Sequence, residues 1–387
     1  HYKRSRYDLL GSQMAYQNLD VMFGGGNKLV SDDMKQHFRD QHTSYYADDI
    51  NAFRNHKSGK VWALWGDMDM PYAIDRDTTK IPSLAEMTDK AIDLLSQNKG
   101  GFFLMVEGSK VDWMAHANDA VGCITEFLEF DKAVGKALDF AKKDGNTTVV
   151  ILPDHGNSGF TIGRRDLEAY DTASIDDLFA TVSKYKRTAE GLEQILLKSK
   201  QEDFRSIIKQ YTDIDVTNEE LADLIQSENY KAENYMKVSD GKNMISKLTD
   251  IMNKRTYFGF TTGGHTGEEV FLAAYHPQGQ VPVGFNTNIE INHYLSDVSG
   301  ISKKLPQFTS EIFAKHTELF KGLDYKRDKS NPDFPVLTVL KGKNKLVIPA
   351  FKSVATLNGK PFDIGSVTVY IDKTDTFYLS RDLLNKL

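Results

Sequence analysis

The sequence predicts an α/β fold: a largely parallel sheet sandwiched by helices, with an inserted helical subdomain and a small C-terminal β module. Three observations predict it. Apolar runs at 102–106 and 147–152 flank the longest helical pattern in the chain, residues 120–143, which makes a strand–helix–strand unit with a right-handed, parallel crossover. Residues 164–255 are polar, charge-rich and helically patterned. After about residue 320 the pattern turns to short β segments.

The elements follow in order. Residues 1–19 read as helix and 19–23 as a short strand ending in Gly24, Gly25 and Gly26. A triple glycine can cradle a phosphate, but without the rest of a nucleotide fingerprint it reads more simply as a tight turn. Ser31 and Asp32 cap a short helix, and 60–65 is the next strand, followed by the acidic, Met-rich loop GDMDMPYAID. Pro82 opens a helix whose apolar positions Leu84, Met87, Ala91 and Leu94 keep a helical period. Within 164–255, Thr217 and Glu220 form a capping-box pattern before Leu221, Leu224 and Ile225. Strands are expected again at 257–260 and 270–275, and Thr287 with Glu290 caps a helix to about Val298. The C-terminal β segments are 336–340, 346–348, 367–371 and 376–379, with Asn358-Gly359 as a hairpin turn.

Bulk properties exclude several classes. With 387 residues the chain can hold one large domain with insertions or a few small ones. A net charge of −6 implies no broad nucleic-acid surface, and no apolar run is long enough to span a membrane. The single cysteine, Cys123, rules out an internal disulfide framework and reads as a small core residue. The sequence starts at His1 without a methionine or signal peptide, which reads as a processed, cut or unrecorded N-terminus, so these residues do not reveal the compartment.

The chemistry-bearing residues gather where apolar runs stop. The run at 102–106 ends in Glu107, with Asp112 and His116 just beyond; the run at 147–152 ends in Asp154 and His155; the run at 257–260 leads into TTGGHTG with His265. In open α/β sheets ligands bind beyond the carboxyl ends of strands. Asp112 and His116 are four apart and share a face if helical, close enough to chelate one ion. Each residue alone has a plainer reading, as a surface ion pair, a turn former or a loop histidine; the case rests on their joint placement. Imidazole with carboxylate suits zinc, and the oxygen-only Glu107 suits magnesium. Two zinc-type centres beside a hard cation can hold a phosphoryl group, ionise a hydroxyl and stabilise a leaving oxygen.

PSLAEMT (82–88), GFFLMVEGSKVDWMAHAND (101–119), DHGNSG (154–159) and TTGGHTGEEV (261–270) resemble the alkaline phosphatase family, in the family's order. The resemblance covers most of residues 1–300. It implies that Asp112, His116 and His265 hold one zinc, Asp154 and His155 a second, and that Glu107 joins a magnesium site, for two Zn2+ and one Mg2+. Trp113 stands where family members vary. The family's nucleophilic serine, a shared aspartate ligand and a magnesium-binding threonine come from an N-terminal region, and neither an Asp-Ser-Ala run nor a Thr-His-Ala-Thr-Pro run occurs here. His1 resembles the histidine a few residues after the latter motif, which places the nucleophile upstream of this chain. On that alignment Arg4 matches the phosphate-binding arginine, with Tyr7 and Gln13 in register; Arg6 is the competing choice, and both could simply solvate a helix.

The resemblance implies hydrolysis of small phosphate monoesters through a phosphoserine intermediate, a homodimer, and a periplasmic or extracellular location. It divides the chain into a core of 1–163 and 256–320, an inserted helical subdomain of 164–255 and an appended β module of 321–387. A phosphodiesterase or mutase of the same superfamily and a non-catalytic metal-binding protein are the competing readings; Glu107 in its VEG context argues against the first, and the absent nucleophile motivates the second.

Overall fold

The computed structural model describes residues 3–164, 167, 171–227 and 241–387. His1, aligned above with a family motif, lies outside them. The chain divides into two compact units, residues 1–70 with 282–387 and residues 71–281.

In the first unit a three-stranded parallel sheet contains β1 (Val21–Gly24), β2 (Ser44–Ala47) and β3 (Val61–Leu64), in the order β1-β3-β2. The central strand reads Val-Trp-Ala-Leu and all four residues are buried, the continuous apolar pattern of a strand covered on both faces. The glycines after β1 form a turn so tight that a Cβ on Gly25 would lie 2.5 Å from the Asp69 Cα, which accounts for the glycine without a phosphate. Helices Tyr7–Tyr16 and Asp32–Asp40 flank the sheet, the second capped by Ser31. The C-terminal residues form a five-stranded antiparallel meander running from Asp324–Asp328 to Lys360–Asp363, with Leu337, Val339, Leu346 and Ile348 alternating into its core. Asn358 and Gly359 both take positive φ, as the hairpin turn between its last two strands requires. Three further strands, Ala314–Lys315, Val369–Ile371 and Thr376–Leu379, make a separate small antiparallel sheet. The helix Asn288–Val298 has the Thr287–Glu290 capping box.

In the second unit the helix Leu84–Leu95 is capped by Ser83 and packs on the 25-residue helix Ala120–Asp144. Asp119 caps the long helix and Gly145 ends it in a left-handed conformation. Beyond it stand the helices Ile175–Ala180, Ala189–Leu196, Phe204–Thr212, Asn218–Ile225 and Met244–Asn253, whose Leu192, Leu196, Ile208, Leu224 and Leu248 are fully buried in one core. The Thr217–Glu220 capping box is present. Cys123 is buried, as its apolar surroundings predict.

One expected strand is different. Residues 102–106 take no place in any ladder among the described residues. Phe103 is 79% and Met105 67% exposed, while Phe102, Leu104 and Val106 are half-buried. An apolar run signals that a segment is fit to be a strand; the ladder also needs a neighbour with free backbone groups, and the run itself does not specify one. The following strand, β4 (Val149–Ile151), pairs antiparallel with β9 (Ala273–Tyr275), and the parallel crossover expected between 102–106 and 147–152 is not formed among the described residues.

Candidate metal centre

Three local structures deliver the candidate ligands, all within the second unit. The helix Lys110–His116 carries Asp112 and His116 at i and i+4, so both side chains leave one face. His155 directly precedes the two-residue strand β5 (Gly156–Asn157), which pairs antiparallel with β8 (His265–Thr266). That register sets Asn157 opposite His265 and brings the 154–159 and 261–270 motifs side by side. Gly156 has no room for a side chain, since a Cβ would lie 2.8 Å from the Thr266 Oγ1 and overlap the Glu268 carboxylate. The residue type follows from the close approach of the two loops.

The ligating atoms of Asp112, His155 and His265 lie within 4.8 Å of one another. The His155 and His265 rings stack at 3.6 Å between centroids, and His116 lies 5.1 Å from His265. Asp112 Oδ1 is 3.5 Å from His116 Nε2 and 4.0 Å from His265 Nε2. Asp154 Oδ2 stands 3.2 Å from His155 Nε2. His116 is fully buried, His265 is 46% exposed, and the Asp154 side chain is 85% exposed, so the group opens from a dry base to a wet rim. The trio draws on both expected zinc sets, pairing Asp112 and His265 of one with His155 of the other.

The donor chemistry fits a cation. His116 Nδ1 lies 2.7 Å from the Gly263 carbonyl and His155 Nδ1 3.0 Å from the Gly156 carbonyl. A carbonyl only accepts, so each Nδ1 carries the ring proton and a neutral ring leaves its Nε2 with a lone pair. Both Nε2 atoms then face carboxylate oxygens, acceptor against acceptor. A cation shared between nitrogen and oxygen satisfies both, and a carbonyl-anchored imidazole is the arrangement that orients metal ligands. The mixed N and O set suits zinc.

Asn157 is the residue that sequence reasoning missed. Its amide donates to Asp112 Oδ1 at 2.6 Å and to the Asp112 carbonyl at 3.3 Å, fixing the carboxylate from behind. It stood in the DHGNSG run, but its role follows from the β5–β8 register. Asp119, four residues beyond Ala115, is fully buried; burial pushes its carboxyl up to about 6, against hydrogen bonds from the Gly122 and Ala189 amides. The other candidates stay outside the group. Glu107 is exposed, and no hydrogen bond or ion pair among the described residues joins it to the trio. Arg4 is exposed in the first unit. Arg6 is engaged with Asp8 and Asp333, at 2.7 and 2.5 Å, which gives it a structural task.

Comparison with known proteins gives one result throughout. The sequence profile of the family "Alkaline phosphatase" matches residues 3–301. Alkaline phosphatase 3 of Bacillus subtilis is 36% identical over 276 residues, which are 70% of this chain and 56% of that protein. Alkaline phosphatase 4 of the same organism is 35% identical over 262 residues, 67% of this chain and 53% of that protein. This chain thus spans about half the length of these relatives. Among solved structures, a cold-active alkaline phosphatase from Shewanella sp. superposes with a TM-score of 0.60 at 26% identity, covering 72% of this chain and 64% of that one.

Proposed function

The chain belongs to the alkaline phosphatase family, and from that premise we propose that the protein hydrolyses phosphate monoesters to an alcohol and inorganic phosphate. The observation that carries this reading is the convergence of Asp112, His155 and His265, with ligating atoms within 4.8 Å. In this reading Asp112, His116 and His265 hold one zinc ion, Asp154 and His155 hold a second, and Glu107 belongs to a magnesium site. Bound there, such ions supply Lewis-acid polarisation of the phosphoryl group and charge stabilisation of the attacking and leaving oxygens.

The chain's own residues do the positioning. His116 and His155 keep their Nδ1 protons on the Gly263 and Gly156 carbonyls and so present Nε2 to the centre. Asn157 holds Asp112 in a single orientation. Arg4 is assigned to the phosphate, for which a guanidinium offers a rigid, always-charged fork. The reading includes a phosphoserine intermediate, because a covalent route splits one hard displacement into two easier ones. In this reading its serine lies upstream, since no Asp-Ser-Ala run occurs within residues 1–387.

Small phosphate monoesters as substrates, a homodimer, and a periplasmic or extracellular location belong to the same proposal and rest on family membership. No helix among the described residues is long and apolar enough to cross a membrane. The division into a core of 1–163 and 256–320, a helical insertion of 164–255 and an appended module of 321–387 is part of the proposal as well.

Two substitutions test it. Asp154→Ala or His155→Ala in the full-length protein is expected to abolish phosphatase activity and lower the zinc content. Metal analysis that finds zinc unchanged in both variants removes these residues from the site.

A further inference from the structure

The helix that carries Asp112 and His116 is poorly specified by its own sequence. It has seven residues, too few to persist alone. Ser109, at its N-cap, makes no side-chain cap hydrogen bond. Its first residue, Lys110, places a cation at the positive end of the helix dipole, an unfavourable placement that Asp112 in the same turn only partly offsets. A local preference broken beside a functional group calls for a compensating tertiary contact.

That contact is aromatic. The Lys110 Nζ lies 4.1 Å from the centroid of the Tyr72 ring and 4.7 Å from that of Trp113, so the ammonium is held between two π faces. Lys110 and Trp113 are three apart and share a helix face. Tyr72 is buried, and its hydroxyl donates to Glu190 at 3.1 Å, which fixes the second ring to the helix Ala189–Leu196. The Asp75 and Glu126 carboxylates lie in the field of the same ammonium. The other face of the short helix is set by Met114, which is buried against Gly122, where any larger residue would overlap it.

We propose that Lys110 is a positioning residue for the metal centre: clamped between Tyr72 and Trp113, it sets the rotation of the helix and hence the direction in which Asp112 and His116 present their ligating atoms. The proposal rests on the metal reading above and goes beyond it by tying the centre to the helical part of the second unit through Lys110, Tyr72 and Glu190. Lys110 itself touches no reacting group in this account.

The test is zinc affinity in the full-length protein, measured by competition with a chromophoric chelator, together with the unfolding midpoint of the metal-free form. Lys110→Met is expected to weaken zinc binding by about tenfold, the low end of what loss of outer support costs a metal site. Lys110→Arg, which keeps a cation over both rings, should restore most of it. Tyr72→Leu should weaken zinc as Lys110→Met does, and it reports independently if the lysine variant does not fold. Tyr72→Phe should have a smaller effect. For Lys110→Met the metal-free midpoint should move little against the loss of zinc affinity, whereas a merely structural role would shift the midpoint without a matching loss of zinc. Tyr72→Leu, at a buried site, lowers the midpoint as well. Wild-type zinc affinity in a folded Lys110→Met variant, or a loss that Lys110→Arg does not restore, would overturn the proposal. A wild-type protein that takes up no zinc would overturn the metal reading and this proposal with it.

Discussion

Glu107 and Asp112 stand five residues apart in one motif, yet their surroundings differ in kind. Asp112 is held by Asn157 and faces two imidazoles, while Glu107 is exposed. If Glu107 serves a hard cation that supports the site electrostatically, it acts apart from the nitrogen ligands. Glu107→Gln is then expected to weaken magnesium stimulation of the phosphatase while most of the zinc stays bound; loss of zinc with an intact magnesium response would contradict the assignment. At this scale the sequence was informative about ligand chemistry and silent about support. Imidazole and carboxylate announce metal affinity by residue type, so Asp112, His116, Asp154, His155 and His265 could be read as a group. An asparagine announces nothing of the sort, and Asn157 gains its role only when β5 pairs with β8 and turns its amide toward Asp112.

Among the elements, the capped helices and nearly all the expected strands formed where their patterns lie, and the 102–106 run is the exception. Thr217 with Glu220 and Thr287 with Glu290 satisfy backbone amides within one turn, so four residues suffice to predict a helix start. The 102–106 run carries no record of its partner, and it stands outside every ladder among the described residues. The C-terminal β sheets hold a further element-scale consequence. His316 is fully buried; its Nδ1 accepts the Phe377 amide at 3.1 Å, and its ring stands edge-on to Tyr325. Burial, with Arg327 nearby, holds its pKa below the usual histidine value, only partly offset by Asp375. Protonating Nδ1 would also require breaking the bond to Phe377. The sign follows: the unfolded chain takes up a proton near pH 6.5 that the folded state refuses. Stability from this group is complete above that pH and falls as pH drops toward the folded value, by at most about 1.4 kcal/mol per pH unit. Urea unfolding between pH 7.5 and 5 (roughly the histidine range) should show this slope, and His316→Phe should flatten it at the cost of a lower midpoint. An unchanged slope in the variant would rule out His316 as its source.

For the whole molecule, composition placed the chain among globular proteins, and the order of four motifs named the family; the profile match over residues 3–301 bears the latter out. The legibility has a physical cause. A metal centre of the proposed kind, built from strand ends and loops, needs particular residue types at each, and those stand out as short readable runs, whereas packing between helices tolerates many apolar combinations. The β strands after residue 320 lie beyond the profile match, and their fold was legible only as alternation and an Asn-Gly turn. The proposal stands on zinc binding where Asp112, His155 and His265 converge, with Asp112 and His265 serving one ion and His155 the other. Anomalous diffraction at the zinc absorption edge, on crystals of the full-length protein grown with zinc, tests it most directly. Two zinc peaks are expected, one within about 2.0–2.2 Å of ligating atoms of Asp112, His116 and His265 and one at the same distance from ligating atoms of Asp154 and His155. A structure in which His155 still stacks on His265 but zinc is absent from the trio, or is bound only elsewhere, would contradict it.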